Sequence, residues 1–326
     1  PGALAMAEDG LWVTDIENFN IVKYDLSGEK VFSFGTMGKG KVQFQEIQGI
    51  AADQTGKVYV VDRNRQSVQV IACGKGGGSD LPFHISPPTF VTWVEDLALK
   101  VRKLTWQKPS QRIFAIDDDS ESLIIADRNH IEKTIKIPDT AFTDAVQDTQ
   151  GFLWVIDRKG GELLKMGPDG RVLLKIGASG SREGYFSHPS DLMIGVDGLI
   201  YVADQGNDRV QVFNREGVFL AAFSKDAAGR PLGAPTALAQ DRRGNLYVLC
   251  RERKVIVVLA QNGRVIGEIG GGLPEGDAFD RPVDLAVLEN ELLVLDAGKK
   301  TVYVFGLDGR LIQTFGAKGV GKGDFK

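Results

Sequence analysis

Short apolar runs of five or six residues alternate along the chain with polar turns that contain glycine. The segment 184–223, GYFSHPSDLMIGVDGLIYVADQGNDRVQVFNREGVFLAAF, shows the order in full. A Phe is followed three residues later by a Pro. An apolar strand, a polar turn and a second strand ending in Asp come next, then a third strand, a Gly turn and a fourth strand. The Asp that ends the second strand is the best ruler, and it falls at Asp15, Asp62, Asp127, Asp157, Asp204 and Asp296, with Cys250 in the equivalent place of one further unit. The spacing is 46 or 47 residues except around Asp127, where intervals of 65 and 30 together span about two periods. The pattern therefore predicts seven units, the third displaced by a long insertion and then shortened.

The turns between third and fourth strands repeat as well: Ser27-Gly28, Asp169-Gly170, Glu216-Gly217, Asn262-Gly263 and Asp308-Gly309. Such dipeptides supply the positive φ that tight hairpins need. Four short strands every 40–50 residues indicate propeller blades, because one four-stranded sheet cannot bury both faces alone. The expected fold is a single all-β propeller over residues 1–326, with seven four-stranded blades; six blades with the third unit appended is the alternative. The chain begins at Pro1-Gly2-Ala3-Leu4, which matches Pro189-Ser190-Asp191-Leu192, and stops where a new unit opens. Either a closed ring or an excerpt of a longer array would give those ends.

Residues 74–110 form the one stretch that does not repeat. Residues 81–85 are expected to supply the fourth strand of the second unit. Thr92 with Glu95 reads as a helix capping box, and Val94, Leu97, Val101 and Leu104 would share one helical face. This helix would cover a sheet edge, or dock a partner through Trp93 and Trp106. The third unit, residues 113–138, lacks a clear fourth strand.

These units resemble NHL repeats, and the resemblance covers nearly the whole chain. It rests on F-x-x-P words, on YVAD and YVVD strand ends, and on VQVF-like strands, clearest in residues 44–71, 184–223 and 279–315. The resemblance implies a β-propeller that works as a binding or scaffold module. Some relatives of this fold look like lyases or lactonases that hold a metal in the central channel. Some NHL proteins bind RNA on one face.

Composition narrows the chemistry. The chain has 326 residues, is 43% hydrophobic and 25% charged, and carries a formal charge of −4, an ordinary globular balance. The 40 glycines are many and lack a three-residue period, which excludes collagen. No apolar run approaches the roughly 18 residues of a membrane span. Cys73 and Cys250 fall in distant units and are expected to be free thiols. His84, His130 and His188 occupy different places in their units and should not converge on one zinc. No nucleophile elbow and no phosphate loop is present, so no catalytic residue is assigned.

Charge is expected to sort by face. Turns joining second to third strands carry Arg63, Arg65, Arg128, Arg158, Lys159, Arg209, Arg251, Arg253, Lys254, Lys299 and Lys300, opposed only by Glu17, Asp208 and Glu252 apart from the strand-end Asp residues. The opposite turns carry Glu8, Asp9, Asp53, Asp117, Asp118, Asp119, Glu121, Asp148, Asp197, Glu289 and Glu291, with Arg242 and Arg243 as exceptions. The strand-end Asp residues are expected to bond the backbone of the turns they open. Asp144, Asp191 and Asp284 stand at equivalent places on innermost strands, where oxygen-only ligands would suit Ca²⁺ or Mg²⁺.

The function expected from this is a non-enzymatic scaffold, a monomeric propeller within a larger chain or complex. Its basic turns would face a protein or polyanionic partner. RNA is less favoured because those turns lack interleaved aromatics. The alternative is a propeller enzyme, a lyase or lactone hydrolase, with a divalent cation at the aspartate trio; otherwise no cofactor is expected.

Overall fold

The computed structural model describes residues 2–7, 10–25, 28–53, 57–65, 67–72, 89–94, 101–107, 112–117, 121–126, 131–274, 278–288 and 290–316. It is an all-β propeller of seven four-stranded antiparallel blades. Blade one comprises Leu4–Ala7, Gly10–Asp15, Asn20–Tyr24 and Lys30–Phe34, and blade two Ile47–Ala52, Lys57–Asp62, Ser67–Ala72 and Thr89–Val94. Blade three comprises Val101–Gln107, Arg112–Asp117, Ser122–Ala126 and Ile131–Lys136, and blade four Phe142–Gln147, Leu153–Asp157, Glu162–Met166 and Val172–Ile176. Blade five comprises Pro189–Ile194, Ile200–Asp204, Arg209–Phe213 and Phe219–Phe223, and blade six Pro235–Gln240, Leu246–Cys250, Val255–Leu259 and Val265–Ile269. Blade seven comprises Pro282–Leu288, Glu291–Asp296, Thr301–Gly306 and Leu311–Phe315. The one helix among the described residues is a 3-10 turn, Gln205–Asn207.

The third unit differs from its expected layout. The helix proposed across Thr92 and Leu104 does not form: Thr89–Val94 is the outer strand of blade two and Val101–Gln107 the first strand of blade three. The outer strand of blade two is thus not 81–85, which lies outside the described residues. Blade three has its fourth strand, Ile131–Lys136. The residue that ends its second strand is Asp117, buried, and not Asp127, which follows the third. With Asp117 as the mark, the intervals become 55 and 40 and the repeat is nearly regular. Asp127, Arg128 and His130 lie outside the described residues. Glu121 belongs to the connection from second to third strand, and Asp118 and Asp119 lie outside the described residues.

The chain divides into two compact units, 1–136 with 315–326, and 137–314. In the first, the first strands of blades one and three both lie beside that of blade two; in the second, the first strands of blades four to seven are neighbours in order. Apolar residues fill the seams. Between blades four and five, Trp154, Ile156 and Leu163 pack on Phe186, Leu192, Ile200, Val202 and Phe213. Tyr201, Val210, Leu246, Val248 and Val257 fill the next seam, and Tyr247, Ile256, Phe279, Leu292 and Phe305 the one after. Central strands such as Ile200–Asp204 are buried along their whole length, which is why they read as unbroken apolar runs.

Glycine follows the outer strands of blades one, four, six and seven, at Gly35, Gly177, Gly270 and Gly316. Gly35, Gly177 and Gly270 have φ of 105°, 82° and 95°, a region side chains avoid. A Cβ on Gly35 or Gly270 would strike Phe44 or Phe279, and one on Gly177 would lie near Phe186. The Phe of each F-x-x-P word therefore packs on the glycine that closes the previous blade.

The first strands carry a bulge near their start, at Pro189/Asp191, Pro235/Ala237 and Pro282/Asp284. The residue just past it ties adjacent blades together. Asp144 in blade four accepts from Leu192 N in blade five at 2.9 Å, and Asp191 accepts from Leu238 N in blade six at 2.8 Å. Ala237 breaks the series, and Leu285 N is bonded by its own neighbour Asp284 at 2.9 Å. Ala237→Asp is expected to restore the latch between blades six and seven. The gain should be about 1 kcal/mol, a charged hydrogen bond less the cost of burying the carboxylate. It would appear as a higher urea midpoint, and an unchanged or lower midpoint would count against the latch.

Candidate partner-binding surface

The carboxylates that end second strands are structural. Asp62 accepts from Gln45 N and Glu46 N at 2.8 and 3.0 Å, and Asp157 from Ala141 N and Lys159 N at 2.8 and 3.0 Å. Asp296 takes four amides, those of Asp280, Arg281, Gly298 and Lys299, at 2.7 to 3.0 Å. Each of these carboxylates holds the lead-in of its own blade, and Asp157 and Asp296 also grip the turn that follows; the sequence pattern suggested only the turn.

Blade six, with Cys250, solves the same problem from next door. Ala234 N donates to Asp208 Oδ1 at 2.7 Å, a carboxylate from the blade-five turn held in the left-handed region at φ 53°. Cys250 is a free thiol and fully buried, and burial first of all pushes it up to about 12. It therefore stays protonated and unreactive near neutral pH. Cys73 lies outside the described residues.

Gln69 and Gln211 perform a second structural task that the sequence pattern showed only as part of a recurring VQV word. Gln69 accepts from Val42 N and donates to Gln43 O, at 3.1 and 2.6 Å. Gln211 accepts from Gly184 N and donates to Tyr185 O, at 2.8 and 2.7 Å. Both glutamines are fully buried and fasten the glycine-rich linker onto the blade.

The basic turns divide into structural and outward-facing cations. In the first unit Arg63 pairs with Glu46 at 3.2 Å and Arg65 donates to Gly40 O at 2.9 Å, so both hold the linker. In the second unit Arg253 is drawn inward to Asp226, at 2.8 Å, and Glu268, with Arg230 completing a four-charge cluster. Burial alone would raise the Asp226 pKa. Hydrogen bonds from the Arg230 backbone and side chain and from Ala228 N, with the Arg253 charge, hold it below the ordinary carboxylate range instead. Arg158, Lys159, Arg251 and Lys254 are exposed, and Lys299 and Lys300 are half-buried. Lys159 and Lys254 lie 3.4 and 3.6 Å from the exposed Asp139 and Asp280, pairs that solvent screens.

The opposite turns are less acidic than their composition. Asp148 accepts from Gln150 N, Phe152 N and the Trp154 indole, and Asp241 from Arg243 N, Asn245 N and Tyr247 OH. Asp53 and Asp197 serve Tyr59 and Tyr201 in the same way, at 3.0 and 2.8 Å. Burial and the adjacent carboxylates raise the pKa of the Tyr201 and Tyr247 phenols. Arg171, Arg264 and Arg310 stand exposed in the third-to-fourth turns at this end. Charge thus sorts by availability: several carboxylates at this end are engaged inside turns, and Asp117 belongs to the other end.

The aspartate trio is not brought together. Asp144 and Asp191 bond the backbone of neighbouring blades and Asp284 that of its own. Among the described residues no three His, Cys, Asp or Glu side chains converge as a metal site. His188 is exposed at φ 48° beside Ser187 Oγ, and His84 lies outside the described residues. No helix among the described residues is long and apolar enough to cross a membrane.

The NHL repeat model matches residues 44–71 and 186–213, the two stretches that end in the Gln69 and Gln211 strands. The chain is 34% identical over 83 residues to human NHL repeat-containing protein 3, covering 24% of each. It is 27% identical over 148 residues to Protein brain tumor of Drosophila melanogaster, covering 44% of this chain and 14% of that one. It is 44% identical over 57 residues to the human E3 ubiquitin-protein ligase TRIM32, 18% of this chain and 9% of the ligase. The chain thus spans a quarter or less of the length of these curated relatives.

Among solved structures it is similar to virginiamycin B lyase from Staphylococcus aureus, with TM-score 0.64, 16% identity, and 84% and 85% of the chains covered. It is also similar to the WD40 propeller domain of Doa1, with TM-score 0.65, 10% identity, and 90% and 88% covered. At those identities the likeness is one of fold. The family match lies in the repeat words themselves, whose Asp, Gln and Phe residues do the same structural work in blades two and five: the chain carries NHL repeats at residues 44–71 and 186–213 within a seven-bladed β-propeller.

Proposed function

We propose that this chain is a non-enzymatic binding scaffold, one propeller within a larger chain or complex, whose basic turns receive an acidic protein surface. One observation carries the reading. In the second unit Arg158, Lys159, Arg251 and Lys254 are exposed, while Asp157 and Asp296, which open such turns, are buried in backbone hydrogen bonds. With the strand-end carboxylates engaged in backbone, the exposed acids Asp139, Glu252 and Asp280 only partly offset these cations, and the surface attracts anions beyond what net charge implies. The exposed large apolar side chains among the described residues are aliphatic or methionine, with no aromatic to stack on bases, which favours protein over RNA. The lyase or hydrolase alternative has less support, since the aspartates proposed for its cation bond backbone amides.

Fluorescence titration with labelled poly-glutamate tests this at two ionic strengths. Arg158→Glu with Arg251→Glu should weaken binding about tenfold or more, about 1.4 kcal/mol, and flatten its salt dependence. Arg171→Glu with Arg310→Glu reverses as many charges at the other end and should change little. Equal losses in both double variants would mean that net charge, not this surface, governs binding.

A further inference from the structure

The turns joining third to fourth strands in blades four, six and seven are built alike. Gly170, Gly263 and Gly309 have φ of 78°, 80° and 84°, and their amides donate to Gly167 O, Ala260 O and Gly306 O at 2.8, 2.8 and 2.9 Å. The residue before each glycine bonds the amide of the arginine after it. Asp169 Oδ1 accepts from Arg171 N, Asn262 Oδ1 from Arg264 N and Asp308 Oδ1 from Arg310 N, each at 3.1 Å. Blade six alone of these three carries an amide there, and Asn262-Gly263 is the one Asn-Gly step in the sequence. Asn262 is exposed.

From this we infer that Asn262 is a site of spontaneous deamidation, which converts the blade-six turn into the Asp-Gly turn of blades four and seven. When the turn opens and the Gly263 amide leaves Ala260 O, its nitrogen gives up its proton to solvent and attacks Asn262 Cγ. The bond from Cγ to the side-chain nitrogen breaks, and ammonia leaves. The five-membered imide that results is opened by one water, giving either an ordinary aspartate at position 262 or an isoaspartyl link through Cγ. No oxidant or reductant takes part. Glycine permits the attack because it places no side chain over the attacking nitrogen, and an alkaline medium speeds it by favouring loss of the amide proton.

The fold discriminates between the two products. An aspartate at this position keeps the bond to Arg264 N, as Asp169 and Asp308 keep theirs to Arg171 N and Arg310 N. The isoaspartyl link adds a carbon to the main chain at a crowded place: a Cβ built on Gly263 would lie 2.2 Å from Phe223 Cε1. The folded protein should therefore yield a larger share of aspartate than an unstructured chain does. The turn gains a negative charge beside Arg264 without losing its shape.

The test is to hold the folded protein at mildly alkaline pH and map peptides by mass, with chromatography that separates aspartate from isoaspartate. A synthetic peptide of residues 256–267 serves as the unstructured control, and Asn262→Gln as the non-reacting one. The expected result is an amide-to-acid mass change at residue 262, absent from Asn262→Gln, with an aspartate-to-isoaspartate ratio several-fold above that of the peptide. Asn262→Asp should melt with the parent. The inference is overturned if the peptide converts while residue 262 of the protein stays an amide. It is equally overturned if both give the same product ratio, or if Asn262→Asp melts clearly below the parent.

Discussion

Asp204→Ala should cost about 3–5 kcal/mol, the loss seen when one partner of a buried ion pair is removed. Asp204 is fully buried, and its Oδ2 meets Arg209 Nε at 2.8 Å, Asn207 Nδ2 at 2.8 Å and Gln211 Nε2 at 3.0 Å. Its Oδ1 accepts from Ser187 N at 2.7 Å. Without the carboxylate, the Arg209 side chain, 11% exposed, keeps only neutral partners, the carbonyls of Ser181, Arg182 and Tyr185. The lead-in to blade five and the linker before it would loosen together. Asp204→Asn should fall between parent and Ala, because the amide oxygen still accepts from Ser187 N. Urea unfolding checks this through the midpoint at unchanged slope. A loss below about 1 kcal/mol, the value of one ordinary hydrogen bond, would show that the cluster is not the clamp described.

Gly177→Ala should be nearly as damaging. Its φ of 82° costs an alanine about 1–2 kcal/mol. The added Cβ would also stand 2.1 Å from Gly184 O and 3.0 Å from the Phe186 ring, and overpacking of this kind adds about 1–3 kcal/mol. Gly184 O belongs to backbone and cannot swing away as a side chain would. Gly184→Ala is the control, since it has φ 78° but open space around the new Cβ, so it should show the strain alone. If the two variants unfold at the same denaturant concentration, the packing of linker on Phe186 contributes nothing measurable.

Much of this was legible in the residues. The Asp ruler and the F-x-x-P word each answer to a contact that recurs in several blades: the strand-end Asp holds the lead-in of blades two, four, five and seven, and the Phe packs on the glycine before it in blades two, five and seven. Blade three was misread for a physical reason. Arg112–Asp117 and Ser122–Ala126 are adjacent apolar strands, the first ending in Asp and the second followed by one, so either fits the pattern of a second strand. Val101–Gln107 was hidden because short apolar runs satisfy helical and strand spacing alike.

At the surface, sequence showed which turns hold cations but not which cations are engaged. Arg251 and Arg253 stand two places apart; the second meets Asp226 from a linker that only the fold brings near. Asp208 could have been noticed, because it is the one Asp that closes a second-to-third turn, next to the one blade whose strand-end Asp is missing.

The most direct test of a basic partner surface is an amide footprint of the parent chain with poly-glutamate. Hydrogen exchange with and without the probe should show protection in residues 158–161, 251–254 and 297–300, and none in 149–151, 196–198 and 242–244. Protection confined to the second group, or spread evenly over both, would contradict the account.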